Sequence, residues 1–343
     1  MRSLLAGACQ PGIIAVRVGR LAVALTLVIG LAACSTLRLG YSQGPNLTYW
    51  WLDSHVDFDN GQSARVREDI DGLFAWHRSS ELPAYADLLR RWQRMAPQDL
   101  TASQACGEFD TVRARFNAVL ERSVEPLARL ALQLSPAQLD PLERHHRKSN
   151  QTFEKDFLQG SPEQRLDRRL ERAIERSERL YGPLTPAQQS LVREQLQRSP
   201  WDPLRTQAER ERRQADQLQT VRRAQATPSA AAQAVRDLMV RITTSPTPGY
   251  NAYNQQLVQS GCAQFANLHN STTPAQRARA VQTLQSDDTI IAMMVSVFCA
   301  TAPTGKSNCA RAMQARPVSF WRLVASARNS TLSAARSRNC WSL

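Results

Sequence analysis

Three aspartates, Asp53, Asp57 and Asp59, stand among Tyr49, Trp50, Trp51 and Phe58. Carboxylates beside aromatic rings are the raw material of a ligand pocket. Tyr49, Trp50, Trp51, Asp53, Asp57 and Asp59 are therefore the candidate binding residues, and an enzyme with its site near residues 49–59 is one reading. Glu68 stands eleven residues after Asp57, the spacing of the last acid in a calcium loop. Gly61 and Gln62, however, occupy the places where that loop needs its fifth-position ligand and its turn glycine. Capping or ion pairing is the better role for these acids. The Trp50 and Trp51 rings suit a ligand or a bilayer surface, although the ordinary place for such rings is the core. His145 and His146 are adjacent, and neighbours on a helix project roughly 100° apart, so one zinc ion cannot readily take both. They are expected at the surface or in a helix seam. No Gly-x-Ser-x-Gly, His-Glu-x-x-His or phosphate loop occurs. No catalytic residue, metal ligand or cofactor is assigned.

Covalent chemistry is better supported at the cysteines. Residues 1–33 hold Arg2, Arg17 and Arg20, no acid, and an apolar run over 21–31. Positive residues, a short apolar stretch and then small residues make a secretory signal. The run is about half of the roughly 20 apolar residues that span a bilayer. It ends Leu31-Ala32-Ala33-Cys34-Ser35, which resembles the lipobox of bacterial lipoproteins. That resemblance implies removal of residues 1–33, diacylation of the Cys34 thiol, and, with Ser35 rather than Asp following, the outer membrane facing the periplasm. Two acyl chains anchor stably where one binds marginally. A start codon set too far upstream would account for the long stretch before Arg17, and Cys9 would then not be made.

Between residues 35 and 290 only Cys106 and Cys262 remain. An oxidising compartment favours pairing two such thiols. The disulfide would close a loop of about 157 residues, stabilising by roughly 4–5 kcal/mol on the chain-entropy model.

The net charge of +13 could suggest nucleic acid, so its distribution matters. Three of these charges lie in the signal and seven in residues 291–343, where no acid occurs, which leaves +3 on residues 34–290. No basic patch for phosphates follows, and export argues against nucleic acid as a partner. Residues 291–343 read either as a basic disordered tail or as a shifted reading frame. The other segments are a membrane-proximal aromatic and acidic stretch over 34–61 and a helical domain over 62–290.

Helical signals dominate that domain. Ser135-Pro136-Ala137-Gln138, Thr185-Pro186-Ala187-Gln188 and Thr273-Pro274-Ala275-Gln276 each put a hydroxyl at an N-cap and Gln three residues on. That is capping-box spacing, with Pro tolerated at the first helical position. Ser161-Pro162-Glu163-Gln164 and Thr101-Ala102-Ser103-Gln104 are variants. Helices are predicted to start near 101, 136, 162, 186 and 274. Their apolar residues recur in steps of three and four as narrow stripes, with Glu and Arg on the remaining faces. Over 203–225 only Leu204, Ala208, Ala215, Leu218 and Val221 mark a seam. The predicted fold is all-α, an elongated antiparallel bundle of long amphipathic helices without a sheet.

The stretch from Cys34 through Tyr49-Trp50-Trp51-Leu52-Asp53-Ser54-His55-Val56-Asp57-Phe58-Asp59 and Gln62-Ser63-Ala64-Arg65-Val66-Arg67, with Ser260-Gly261-Cys262 and His269-Asn270-Ser271, resembles an uncharacterised family of proteobacterial lipoproteins, over about 34–286. It implies a lipoprotein and no activity. Leu134-Ser135-Pro136-Ala137-Gln138 and Leu184-Thr185-Pro186-Ala187-Gln188 are similar to the LTxxQ motif of the Spy and CpxP periplasmic chaperones, small helical dimers that hold unfolded clients; this chain is much longer. The sequence thus points to a lipid-anchored envelope protein, a non-enzymatic protein-binding or scaffold module. Its expected partners are the membrane, through the lipid, and envelope or client proteins. A Spy-like chaperone and an enzyme are the alternatives. Oligomeric state is left open.

Overall fold

The computed structural model describes Tyr41 and residues 43–301, with side chains as far as Asp287. The signal over 1–33, the lipidation residue Cys34 and the tail beyond 301 lie outside the described residues. The chain is an all-α bundle, and among the described residues there is no strand. Helix α1 covers Gly44–Val56, α2 Asn60–Trp76, and a π-helical turn His77–Glu81 leads into α3, Leu82–Met95. Then follow α4 (Ala102–Arg122), α5 (Val124–Gln133), α6 (Pro136–Phe157), α7 (Pro162–Tyr181), α8 (Pro186–Arg198), α9 (Pro203–Ala226), α10 (Ala231–Thr243), α11 (Tyr250–Asn270) and α12 (Pro274–Thr301).

The five predicted starts are where the sequence puts them. Thr101, Ser135, Ser161 and Thr185 have extended backbone and accept from the amide three residues on, while the Gln there reaches back to the cap. Thr273 and Gln276 exchange the same two bonds. Asp59 and Gln62 form a sixth box at the start of α2. Each box satisfies donors that a helix N-terminus leaves without partners.

Four of these boxes do more, because they meet in pairs. The Gln62 side-chain amide donates to Gln138 Oε1 (3.1 Å) and that of Gln138 to Gln62 Oε1 (2.7 Å). Gln62 also donates to the Gln133 carbonyl, and Gln138 to that of Asp57, both at 2.8 Å. Gln188 and Gln276 repeat the pattern: they donate to one another at 2.8 and 2.9 Å, and to the Ser271 and Pro183 carbonyls. In all four cases the carbonyl lies two residues before the partner's N-cap. Phe58, Leu134, Leu184 and Thr272, each directly before a cap, are buried beside the pairs. The glutamines therefore lock the starts of α2 and α6 together, and likewise α8 and α12. Gln104 and Gln164 lie in exposed boxes, and their bonds stay local.

The core is divided, as narrow stripes require. Tyr49, Val56 and Phe58 pack with Val66, Ile70, Leu134 and Leu139. Residues 44–61, set apart from the helical domain in the sequence reading, thus share a core with it. Val124, Ala128 and Ala131 of α5 meet Ala224, Ala231 and Val235. Ala96, Tyr181, Ala280 and Leu284 form a third cluster, and Leu184, Val192 and Leu268 a fourth.

Helix α9 departs from its predicted seam. Leu204 is exposed, while the buried residues are Glu209, Asp216, Thr220 and Ala224. Glu209 is held by Arg212, Arg213 and the Thr247 hydroxyl. Asp216 takes a two-pronged contact from Arg241 at 2.8 and 3.0 Å, and further bonds from Arg223 and Arg212. Burial raises both carboxyls, but the guanidinium bonds outweigh it and hold them below the usual range. A buried charge persists only when paired and hydrogen-bonded. Here the pairing fastens α9 to α10 and to the turn after it.

His269 is fully enclosed. Its Nδ1 accepts from the Tyr181 hydroxyl at 2.9 Å and its Nε2 donates to the Gln98 carbonyl at 2.7 Å. Burial favours the neutral ring.

Two outcomes follow. Gln188→Leu orphans buried acceptors across the pair and should cost about 2–4 kcal/mol by urea unfolding. Gln104→Leu, at an exposed box, should cost less than about 1 kcal/mol. Burial pushes the His269 pKa below its ordinary 6.5, so the unfolded chain takes the proton first on acidification. The unfolding free energy should therefore be level above about pH 6.5 and fall below it, by at most about 1.4 kcal/mol per pH unit from this group. His269→Asn should flatten that fall.

Candidate functional site

The aromatic and acidic stretch at 49–59 is a helix end and its turn. Tyr49 is buried, its hydroxyl donating to Ser63 Oγ at 2.9 Å and its ring covered by the Arg67 guanidinium at 3.5 Å. Trp50 and Trp51 are 61% and 57% exposed, against the core position expected of them. They occupy the face of α1 that turns away from the Tyr49–Val56 cluster. Asp53 Oδ1 accepts from the Phe58 amide at 3.0 Å, closing the turn after α1. Asp57 sits in that turn with φ of 59°, and Asp59 is the N-cap of α2. Asp53 and Asp59 thus serve the backbone, and Asp57 is exposed in the turn between them. His55, passed over in the sequence, packs on His145 of α6, with ring centroids 3.9 Å apart. His145 meets His55 rather than its neighbour His146, because the contact joins two helices and leaves no local spacing to read.

A second surface lies on α4. Cys106 of α4 and Cys262 of α11 are joined in the predicted disulfide, 156 residues apart in sequence. Helix α4 has 21 residues and none is buried. It is held by the crosslink and by charge. Glu108 Oε2 accepts from Arg91 at 2.7 Å and from the Trp92 indole at 2.7 Å, and Arg115 approaches the buried Glu81. Phe109, Val112 and Phe116, at steps of three and four, face solvent at 44%, 42% and 50% exposure. Phe265, three residues past Cys262 on α11, is 43% exposed. A helix of this length ordinarily buries such a stripe. An outward apolar stripe on a rigidly held helix is suited to contact with another protein. The sequence carried the spacing of Phe109, Val112 and Phe116 as an apolar face, but not which way that face turns.

Among the described residues no group of three His, Cys, Asp or Glu side chains is placed to hold a metal ion. No helix of the described residues is long and apolar enough to cross a membrane. The model of a family of unknown function, DUF6279, matches residues 54–251. No curated protein and no solved structure matches the chain.

The crosslink is what holds α4 in place of a buried face. Cys106→Ser with Cys262→Ser should lower stability by about 4 kcal/mol in thermal or urea unfolding. Limited proteolysis should then cut first within residues 102–122.

Proposed function

The chain belongs to the DUF6279 family, whose function is unknown, and from that premise we propose that it is a lipid-anchored, non-enzymatic protein-binding module of the cell envelope. The observation that carries this reading is the solvent-facing stripe Phe109, Val112 and Phe116 on a helix with no buried residue. Burying those rings against a partner removes apolar surface from water, at roughly 25 cal/mol per Å². Unfolded or loosely folded polypeptides, which expose apolar side chains, are the partners that such a surface takes. The Arg113 guanidinium lies 5.9 Å from the Phe109 ring, and Asp110 pairs with Arg113 beside it. This charged rim limits association between copies of the stripe.

Two further features support the cellular setting. The Cys106–Cys262 disulfide suits a compartment in which thiols oxidise. The run Leu31-Ala32-Ala33-Cys34 follows a short apolar stretch, as lipidation requires. Rigid, pre-formed helices keep the entropic cost of binding low.

The test uses the purified chain from Ser35 onward with a chemically denatured model protein as client. Suppression of client aggregation at near-stoichiometric ratios is expected. Phe109→Ser with Phe116→Ser should weaken it severalfold without shifting the unfolding midpoint, since both rings are already exposed. No suppression by the unaltered chain rejects client holding. In cells, Cys34→Ala should move the protein out of the membrane fraction, and retention there would reject the anchor.

A further inference from the structure

Helix α1 is apolar on two sides. Tyr49, Leu52 and Val56 pack inward on the first core cluster. Leu47, Trp50 and Trp51 stand outward at 53%, 61% and 57% exposure. Residues three and four apart are neighbours on a helix surface, so these side chains share one face. The other exposed residues of α1, Asn46 and Ser54, carry no charge. Asp53, the one acid of α1, is engaged at the Phe58 amide. The outward face of α1 is therefore uncharged, in a chain of which 21% is charged. The α4 stripe differs, because Asp110 and Arg113 pair beside its rings.

Residue chemistry and chain position identify what covers such a face. An indole has an apolar body and one N–H donor, and it collects at the level of lipid headgroups, where one end is dry and the other wet. A charged group would have to shed water on entering that layer, and this face has none. Ten residues separate Cys34, the candidate lipid carrier, from Gly44, the start of α1. Fully extended, ten residues span at most about 36 Å. Trp50 and Trp51 follow within about two turns of that start. Two rings and a leucine bind a bilayer weakly on their own. Beside a membrane-held N-terminus the same contact becomes intramolecular, at an effective concentration on the order of millimolar.

We propose that Leu47, Trp50 and Trp51 seat α1 in the headgroup layer of a lipid bilayer, with the helix lying along the surface. The three side chains then enter the boundary between headgroups and acyl chains, to a depth of about 5–10 Å. Tyr49 and Val56 fix α1 to the bundle, and the opposite face fixes the bundle to the membrane. This inference rests on the lipid anchor at Cys34 and adds to it a second, non-covalent contact. It stands apart from client binding, which uses α4.

The test supplies an artificial anchor. The chain from Ser35 onward, with an oligohistidine tether at its N-terminus, is held on phosphatidylcholine vesicles that contain a nickel-chelating lipid. Zwitterionic lipid offers little attraction to the basic residues 291–343. Tryptophan emission is read with and without brominated phosphatidylcholine, which quenches rings inside the bilayer. Quenching is expected in the unaltered chain. Trp50→Ser with Trp51→Ser should lose most of it at an unchanged unfolding midpoint. Leu47→Ser with Trp50→Ser should lose part of it, and leaves the Trp51 ring in place against His55, so its result stands even if the first variant lowers stability. Absence of quenching in the unaltered chain overturns the seat, and so does equal quenching in both variants. A dimer in sedimentation that either variant dissociates also overturns it, because a second copy is then the occupant. The tether replaces Cys34, so these outcomes are separate from the fate of the anchor, which fractionation of Cys34→Ala decides.

Discussion

Each helix start leaves backbone donors without partners, and in this chain that deficit is turned into tertiary structure. Gln62 with Gln138, and Gln188 with Gln276, satisfy their own caps and then exchange side-chain bonds across two helices. Each amide nitrogen also reaches the carbonyl two residues before the opposite cap. Such a pair fixes which helix lies beside which, and at what height. Slippage by one residue would break bonds at both ends at once. A stripe of leucines tolerates sliding far better, because apolar contact has no direction.

This explains how the bundle manages with small, separated clusters. The second cluster contains four alanines, whose short side chains bring α5, α9 and α10 close but bury little area each. Specificity comes from polar groups placed between the clusters. The Glu209 and Asp216 network joins α9 to α10, His269 bridges Tyr181 and the Gln98 carbonyl, and the Gln225 amide donates to the Ala131 and Leu134 carbonyls. Buried polar groups are costly when unpaired. An arrangement that pairs Glu209, Asp216, His269 and Gln225 at once is therefore favoured over its competitors.

The division between what was legible and what was not follows from range. Capping chemistry spans four residues, so Thr101, Ser135, Ser161, Thr185 and Thr273 declare their helices in the sequence itself. The fold class follows from them and from the three-and-four periodicity. The pairing of Gln188 with Gln276 spans 88 residues, and no local pattern announces it. Helix α9 misled for a related reason. Its apolar residues suggested a seam through Leu204, yet the buried residues Glu209, Asp216, Thr220 and Ala224 follow one another in steps of seven, four and four. Periodicity reports the face that is buried only when that face is apolar. Trp50 and Trp51 show the converse: large rings predicted inward stand outward because Tyr49, Val56 and Phe58 already fill that end of the core. The disulfide was accessible because the choice was small, with two cysteines between residues 35 and 290.

Fastening helices by amides, ion pairs and one crosslink has a consequence for the surface. In an ordinary bundle a helix stays in place by burying its apolar stripe, and the stripe is then lost to any partner. Helix α4 stays in place through Cys106, Glu108 and Arg115. Those contacts use other faces of the helix and leave Phe109, Val112 and Phe116 in water. Rings left in water add little to folding, and the crosslink stabilises in their place by removing freedom from the unfolded chain. A surface held this way can be both apolar and rigid, the two properties that the proposed binding role calls for. A helix held only by its apolar face cannot meet both demands at once.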